Sequence, residues 1–368
     1  MKRLCAILNI APLYREPIYR LIDSNYCCDW FYGNELNGIR CIATGVLKNA
    51  EVLHRVDIGP FYWQKNAVKK VFNNLYQDYI ITGEVYCLST WCLLLLKNLF
   101  RPRKRIFLWS HGWYGRESFT KKWMKRIFFG MSDGVFLYGD FAKKTAIAQG
   151  FDPKKLSVIH NSLDYESHLN IRKRLSKSQI YHDHFGNDNP TLVFIGRLTT
   201  IKKINMLFEA VSILKKDGFS LNVALIGDGS ERKALEILAQ QIRISENIWF
   251  YGACYDDVKT AQLIYDADLC VSPGNVGLTA IHTMTFGTPV LTHNDFTMQM
   301  PEFEAIVPGK TGAFFKSGDV IDLAEKIKLW LNTHPNKSRT KQDCYNVIET
   351  SWTPKYQLEI IKKVISVI

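Results

Sequence analysis

The sequence predicts an α/β protein made of two successive doubly wound units, each a mostly parallel sheet covered by helices on both faces. Short apolar runs alternate with segments of helical length and spacing. A polar stretch at 165–190 interrupts this alternation, which then starts again. At 368 residues the chain is long enough for two domains with complete hydrophobic cores.

The elements of the first unit follow from its apolar runs. Strands are predicted at 3–10, 79–82, 105–110, 134–138 and 156–160. Helices are predicted between them at 64–76, 88–100, 118–131 and 140–150. The stretch at 165–190 ends in a Gly-Asn-Asp-Asn-Pro cluster, which indicates a helix followed by a linker.

The second unit repeats the pattern. Strands are predicted at 191–196, 221–227, 248–252, 268–273 and 289–293, and helices at 203–217, 231–243, 257–266 and 279–286. The amphipathic tail is expected to form a closing helix that could pack back across the domains. The predicted organisation is an N-terminal Rossmann-like domain at 1–170, a linker at 171–190, a C-terminal Rossmann-like domain at 191–350 and the closing helix at 351–368.

Charge and cysteine content limit the possible environments. The net charge is +12, and the first 180 residues carry 28 basic against 14 acidic side chains. Nine cysteines without a CxxC pair are typical of reduced thiols in the cytoplasm. The start of the chain is typical of a buried strand rather than a secretory signal, and the apolar run at 91–96 is too short to cross a bilayer.

The excess positive charge is densest at 101–126, where aromatic residues interleave with basic ones. This pattern suits a peripheral position on an anionic membrane, contact with a lipid diphosphate, or a solvated basic face over buried aromatics. No nucleic-acid-binding motif accompanies the charge. The candidate membrane or acceptor surface consists of Arg103, Lys104, Lys121, Lys122, Lys125 and Arg126.

Cations and glycines follow the strands of the second unit. Arg197 comes directly after a strand and Lys202 five residues later, a pair that suits a diphosphate. Gly196, Gly227 and Asp228 lie in the strand-to-helix turns, where glycine permits close approach to a ligand. In such sheets ligands bind at the carboxyl ends of the strands, which predicts a site facing a cleft between the units.

A third loop leads from a strand into a short helix. The main-chain N–H groups of this loop are predicted to face phosphate. The loop residues are Asn275, Val276, Gly277, Leu278 and Thr279.

Among the histidines, His111 is the strongest candidate because it follows a strand of the first unit. At a strand end it could bond a sugar hydroxyl or shuttle a proton, and the alternative is a satisfied core histidine. His182 and His184 lack a third ligand at a suitable spacing, so no metal site is predicted.

The ordered set "FIGRLTTIKK", "LIGDGSERKAL", "IWFYGA", "YDADLCVSPGNVGLTAIHTMTFGTPVL" and "GKTGAFF" resembles the C-terminal domain of GT-B glycosyltransferases, specifically the retaining family-4 enzymes. The resemblance covers roughly 156–365. It implies that Arg197 and Lys202 neutralise the donor diphosphate and that the third loop holds phosphate and sugar. It also implies that Tyr251 lies by the nucleobase and that His111 contacts the transferred sugar. Catalysis would be mainly electrostatic, with no cofactor and no metal.

The sequence departs from this family at its E-x7-E motif, where Gly274 and His282 occupy the two carboxylate positions. Glycine has no side chain with which to contact the sugar. Histidine can bond a ribose hydroxyl, but its hydrogen-bonding polarity differs from that of a carboxylate. Glu302 or Glu304, rather than Asp295, is expected to restore a carboxylate. The alternative is that these are surface or helix-capping acids.

The expected function is transfer of a sugar from a nucleotide-sugar donor to an acceptor hydroxyl, with retention of configuration. The acceptor would be a glycan carried on a lipid diphosphate, as in bacterial surface-polysaccharide assembly, at the cytoplasmic face of the inner membrane. Two alternatives stay open: a nucleotide-sugar epimerase or hydrolase on the same fold, and a catalytically silent nucleotide-sugar-binding module.

Overall fold

The computed structural model describes residues 3–33, 39–43 and 45–367. Its strands are β1 (Arg3–Ile10), β2 (Cys28–Gly33), β3 (Ala50–Val52), β4 (Arg55–Ile58), β5 (Phe61–Gln64), β6 (Tyr76–Thr82), β7 (Arg105–Ser110), β8 (Gly134–Leu137), β9 (Leu156–Val158), β10 (Thr191–Ile195), β11 (Asn222–Ile226), β12 (Ile248–Gly252), β13 (Leu269–Ser272), β14 (Val290–His293) and β15 (Gly312–Phe315). Its α-helices are α1 (Glu16–Asn25), α2 (Leu88–Phe100), α3 (Phe119–Gly130), α4 (Asp140–Ala148), α5 (Tyr165–Arg172), α6 (Ile180–Phe185), α7 (Ile204–Lys216), α8 (Arg232–Gln241), α9 (Asp257–Asp266), α10 (Thr279–Thr285), α11 (Val320–Thr333), α12 (Lys337–Ser351) and α13 (Pro354–Val367). Short 3-10 turns occur at Leu13–Arg15, Val68–Phe72, Pro153–Lys155, Thr200–Lys202, Ser245–Asn247 and Pro301–Ala305.

The chain forms two compact units, one containing Met1–Asp164 with Thr353–Ile368 and the other Tyr165–Trp352. The structure therefore assigns 171–190, predicted as a linker, to the second unit. There the Tyr181 hydroxyl donates to the Leu263 carbonyl over 2.6 Å, which attaches α6 to α9.

The first unit has a seven-stranded sheet in the order β3-β2-β1-β6-β7-β8-β9, with parallel pairing throughout. In the central strand β1, Ala6 pairs with Trp30 on one side and Ile80 on the other. The run "RLCAILNI" supports this central position because its interior residues are apolar and buried. The strand order reverses at β1, so the loops after β1, β6, β7 and β8 emerge at one edge, where ligands bind in such sheets.

The second unit has a six-stranded sheet in the order β12-β11-β10-β13-β14-β15, again entirely parallel. Its central strand β10 pairs Phe194 with Leu225 and Val193 with Cys270. The buried side chains of β10, β11 and β13 form one core with α7 and α11. Both units are therefore Rossmann-like, and the predicted doubly wound α/β class is confirmed.

The closing helix α13 packs within the first unit. Leu358, Ile361 and Ile365 are buried in the same core as β1 and α1. The Gln357 amide donates to the His160 carbonyl over 2.8 Å and accepts from the Ser162 hydroxyl over 2.6 Å. The end of the chain thus completes the core of the unit in which the chain begins.

The predicted helix at 64–76 is wrong. Residues 61–64 form β5, and a 3-10 turn over Val68–Phe72 replaces the remainder. Asn66 adopts a φ of 67°, a left-handed conformation that a continuous right-handed helix excludes. No element was predicted at β2 to β5, β15, α1, α11 or α12, and α6 lies in the stretch that was predicted as a linker.

Candidate functional site

The carboxyl edge of the second sheet carries the turns that contain Gly196, Gly227 and Asp228. The N–H of Gly196 donates to the Ile226 carbonyl over 3.0 Å, so the turn stays close to the neighbouring strand. A Cβ atom on Gly227 would lie only 2.9 Å from the carbonyl carbon of Gly196. Gly227 is therefore required by the packing of two main chains. Tyr251 lies in β12, which ends at the same edge.

The predicted cation pair lies at this edge. Arg197 follows β10 with an exposed side chain, and Lys202 ends the 3-10 turn that leads to α7. The Lys202 ammonium donates to Asn275 twice, to its carbonyl oxygen over 2.7 Å and to its side-chain oxygen over 2.9 Å. The loop after β13 therefore fixes the position of the lysine.

The charges of Arg197 and Glu302 both affect the pKa of Lys202. Burial lowers the pKa of Lys202, the negative charge of Glu302 opposes that shift, and the positive charge of Arg197 adds to it. The two cations and one carboxylate act on one another although they come from separate segments of the chain. An anionic ligand at this edge would be stabilised by both cations.

The main chain at Gly274 packs closely against the turn that carries Lys202. Its N–H donates to the Lys202 carbonyl over 3.0 Å. A Cβ atom on Gly274 would overlap the main-chain oxygen of Ile201 and lie 2.8 Å from Cα of Lys202. The close approach of these two main chains leaves no space for the carboxylate that the resemblance leads one to expect.

The loop prediction needs one correction. The N–H of Val276 donates to the Gln299 side chain over 2.9 Å, so this donor is already used within the protein. Gln299 also donates to the Thr292 hydroxyl over 2.8 Å and thereby holds the loop against β14. Gly277 and Leu278 precede α10, and the Thr279 hydroxyl donates to the Ile195 carbonyl over 3.0 Å.

His282 lies on α10 and stacks on another histidine. Its ring centroid is 5.2 Å from that of His168, with 21° between the ring planes, and 5.7 Å from that of Phe286. Burial, with a further contribution from His168, lowers the pKa of His282 to about 3. At neutral pH it is uncharged, so it does not replace the negative charge of a carboxylate.

The structure distinguishes the two candidate acids. Glu302 and Glu304 share a 3-10 turn, but the Glu302 side chain is buried and Glu304 is partly exposed. Of the two, only Glu302 is among the charges that shift the pKa of Lys202. Asp295 accepts from the hydroxyl of Thr297 over 2.6 Å in its own turn. Glu302 is therefore the acid that the fold brings to the cations.

In the first unit, His111 follows β7, and its ring centroid lies 4.7 Å from that of Tyr138. Burial lowers the pKa of His111 to about 3, and the charges of Arg15 and Lys125 act in the same direction. An imidazole that stays neutral can bond a sugar hydroxyl, but it is poorly suited to shuttling protons near pH 7. Sequence analysis missed Arg15, whose only signal was its place in the loop after the first strand.

Two of the six residues predicted for the membrane or acceptor surface are buried. Lys104 is buried and donates to the Tyr76 carbonyl over 2.7 Å. Lys125 is buried and pairs with Glu117 over 2.6 Å. Both lysines are therefore removed from the candidate membrane or acceptor surface, because their ammonium groups are bonded inside the fold. Arg103, Lys122 and Arg126 are exposed, and Lys121 is partly exposed.

Sequence analysis also missed an apolar stripe on α3. Phe119, Trp123 and Ile127 are 85%, 63% and 37% exposed, and their spacing of four places them on one side of the helix. The signal was present in the sequence as an i, i+4, i+8 pattern, but such a pattern usually marks the buried side of a helix. Within residues 3–33, 39–43 and 45–367, no helix combines the length and apolar character needed to cross a bilayer.

Comparison with known sequences finds that residues 179–346 match the family model described as "Glycosyl transferases group 1". The chain is 28% identical over 147 residues to the "Putative glycosyltransferase EpsD" of Bacillus subtilis, which is 39% of this chain and 37% of that protein. It is 26% identical over 183 residues to the "Sulfoquinovosyl transferase SQD2" of Arabidopsis thaliana, which is 48% of this chain and 33% of that protein. The chain thus spans about a third of the length of these curated relatives.

Solved structures resemble the chain over its whole length. HepE of Anabaena in complex with UDP matches with a TM-score of 0.72 and 16% identity, covering 100% of both chains. The lipopolysaccharide outer core galactosyltransferase WaaB in its apo form matches with a TM-score of 0.73 and 14% identity, covering 99% of this chain and 100% of that one. At these identities the likeness shows the fold, which is the predicted GT-B fold.

Proposed function

We propose, from the match of residues 179–346 to the model of glycosyl transferases group 1, that the chain transfers a sugar from a nucleotide-sugar donor to an acceptor hydroxyl. The observation that carries the proposal is the cluster of Arg197, Lys202 and Glu302 at the carboxyl edge of the second sheet, with Lys202 held by Asn275. Retention of configuration is part of the proposal and rests on the family resemblance alone.

Charge stabilisation is the proposed source of catalysis. When the bond from the anomeric carbon to the donor diphosphate breaks, negative charge grows on the leaving phosphate oxygens. Arg197 and Lys202 would stabilise that charge, and the two hydrogen bonds from Lys202 to Asn275 set the position of this lysine before the reaction begins. Glu302 would accept a hydrogen bond from the sugar or the ribose. This scheme assigns no role to a metal or cofactor.

UDP is the first donor nucleotide to test, because HepE of similar fold binds UDP and UDP-glucose. The purified chain would be incubated with a panel of UDP-sugars, with and without lipid-diphosphate acceptors, and the products separated. Acceptor-dependent release of UDP supports a transferase. Epimerised donor, acceptor-independent hydrolysis, or binding without turnover would overturn it in favour of the epimerase, the hydrolase or the silent module.

We further propose that the enzyme acts peripherally at an anionic membrane, on an acceptor carried by a lipid diphosphate. The support is the apolar stripe of Phe119, Trp123 and Ile127, because exposed aromatic residues beside basic ones are typical of interfacial helices. Lys122 and Arg126 lie next to the stripe on α3 and are exposed. Each basic residue near an anionic surface contributes about 1 kcal/mol of attraction.

The neighbouring helix extends this surface. The Trp91 ring of α2 lies 5.0 Å from the Phe128 ring of α3, and the Asn98 amide donates to the Met131 carbonyl over 2.9 Å, so the two helices pack side by side. Leu95 and Leu99 of α2 are 48% and 70% exposed. The combined face supplies both the apolar area and the charge that stable interfacial binding requires.

A further inference from the structure

A second cationic position lies at the carboxyl edge of the first sheet. Arg15 ends the 3-10 turn between β1 and α1. Its guanidinium carbon lies 4.7 Å from the ring centroid of Tyr138, 5.8 Å from that of Trp109 and 5.3 Å from that of Tyr14. Aromatic rings therefore surround the guanidinium, as they do where arginine is held for recognition of an anion.

No acid neutralises Arg15 in the part of the chain that the structure describes. Its Nε atom is shielded from solvent and makes no hydrogen bond there. Glu84, which follows β6 at the same edge, accepts from the Tyr62 hydroxyl over 2.7 Å and from the Asn9 amide over 3.3 Å. Burial lowers the pKa of Arg15, but the surrounding tyrosines, one of which (Tyr19) shares a side-chain hydrogen bond with it, raise the pKa by more, so the guanidinium stays charged.

Lys125 is a buried cation near His111 whose charged group has partners inside the protein. Lys125 donates to the Glu117 carboxylate over 2.6 Å and to the Gly112 carbonyl over 2.5 Å. Its charge is thus fully used inside the protein. Arg15, by contrast, has no carboxylate partner among the described residues.

His111 completes the arrangement. Tyr138 contacts both groups, since its ring centroid is 4.7 Å from both the His111 ring centroid and the Arg15 guanidinium carbon. The Nδ1 atom of His111 is buried and has no hydrogen-bond partner among the described residues. The charged guanidinium of Arg15 and the neutral imidazole of His111 therefore contact the same tyrosine, and each has a nitrogen without a hydrogen-bond partner among the described residues.

We propose that Arg15 and His111 form a binding site for a phosphoryl group. Arg15 would donate N–H groups to the phosphate oxygens, and His111 would hydrogen-bond to the same phosphate. Phosphate is favoured because guanidinium presents a planar fork that matches its oxygens. This inference deepens the proposed transferase function, in which the phosphoryl group belongs either to the acceptor or to the donor diphosphate.

Calorimetric titration of the full chain tests the site with two probes. Inorganic pyrophosphate is titrated in the presence of saturating UDP, which occupies the donor site of the second unit, and UDP is titrated alone. The variants are Arg15→Gln and Arg15→Lys. The matched control is Arg20→Gln on α1, whose exposed side chain pairs with Glu16.

The expected result is that Arg15→Gln weakens pyrophosphate binding at least tenfold, that Arg15→Lys weakens it by less because the charge remains without the planar fork, and that Arg20→Gln has no effect. This pattern assigns the site to the acceptor phosphate. If Arg15→Gln instead weakens UDP binding tenfold, the phosphoryl group is that of the donor. Equal behaviour of Arg15→Gln and Arg20→Gln with both probes overturns the proposal.

Two further outcomes keep the test decisive. Should wild type fail to bind UDP while pyrophosphate binding still depends on Arg15, the phosphoryl site stands and the proposed donor falls. Should Arg15→Gln fail to fold, as judged by circular dichroism, His111→Gln replaces it. Pyrophosphate affinity unchanged in His111→Gln would then overturn the two-residue site.

Discussion

The main chain at Gly274 packs directly against that of Ile201, so closely that a Cβ atom on Gly274 would overlap the Ile201 oxygen. This contact joins the loop after β13 to the 3-10 turn that carries Lys202. It leaves no space for the loop carboxylate that the family resemblance implies, since a side chain at this position would displace the turn that carries Lys202.

Gly274→Ala is therefore expected to destabilise the protein by about 1–3 kcal/mol, the usual cost of overpacking. Gly274→Glu is expected to lose donor binding as well, because the turn bearing Lys202 must shift. Urea denaturation and UDP titration measure the two effects. Gly130→Ala is the control, since a Cβ atom there meets nothing within 4 Å. A Gly274→Ala variant as stable as this control would contradict the steric explanation.

Lys202→Ala is expected to lower turnover by roughly 10²–10³, the range for removal of one preorganised donor to a developing oxyanion. The physical reason is that the side chain is fixed by Asn275 and needs no rearrangement to meet the phosphate. Initial rates at saturating donor give the measurement. Lys216→Ala, at the exposed far end of α7, serves as control, and equal rates for the two variants would rule out the assigned role.

Glu302→Gln is expected to shift the pH dependence of UDP binding to lower pH. Burial lowers the pKa of Lys202 and the Glu302 charge raises it. Without that charge the pKa falls further, so the ammonium and its attraction for phosphate are lost earlier as pH rises. UDP titrations between about pH 7 and pH 10 show the shift, with Glu304→Gln as control. Superimposable curves for the two variants would refute the electrostatic link.

Acid is expected to destabilise the protein through its buried histidines. In the folded state the pKa values of His111 and His282 are about 3, whereas the ordinary value is 6.5. Between pH 3 and pH 6.5 the unfolded state therefore binds more protons than the folded state. Stability is complete above pH 6.5 and falls as pH drops, approaching about 1.4 kcal/mol per pH unit for each histidine.

His282→Gln is expected to reduce this pH slope, which is measured by urea denaturation at several pH values between about 4.5 and 7. Other buried histidines contribute to the slope, since burial also lowers the pKa of His160 and His293. The difference between variant and wild type is therefore the quantity to compare. An unchanged slope would mean that His282 is protonated equally in the folded and unfolded states.

Vesicle flotation tests the membrane proposal. Wild type is expected to float with vesicles containing 30% anionic phospholipid and to sediment with purely zwitterionic ones. Phe119→Ser with Trp123→Ser is expected to abolish flotation, because burial of each large apolar side chain contributes about 1.5–3 kcal/mol. Ile237→Ser, 53% exposed on α8, is the control. Flotation that survives the double substitution, or is absent in wild type, would exclude this surface.

Local sequence was sufficient for most of the secondary structure. The periodic segments at 88–100 and 257–266 form helices within the predicted bounds. Buried parallel strands are continuous apolar runs in the sequence. The strands β1, β7 and β10 could therefore be predicted without knowing which strands they pair with. The strand β3 was missed because it is short and its three residues are all exposed. The helices α11 and α12 were also not predicted, although they have 14 and 15 residues.

The sequence by itself determined the doubly wound class, the position of Arg197 and Lys202 after a strand, and the absence of a carboxylate at 274 and 282. These are properties of neighbours along the chain. Only the tertiary structure decided that Glu302 rather than Glu304 acts on Lys202, that Lys104 and Lys125 are buried, and that Arg15 lies beside Tyr138. Burial and charge pairing depend on segments far apart in the chain, and their effect on each side chain appears only once the sheet has brought those segments together.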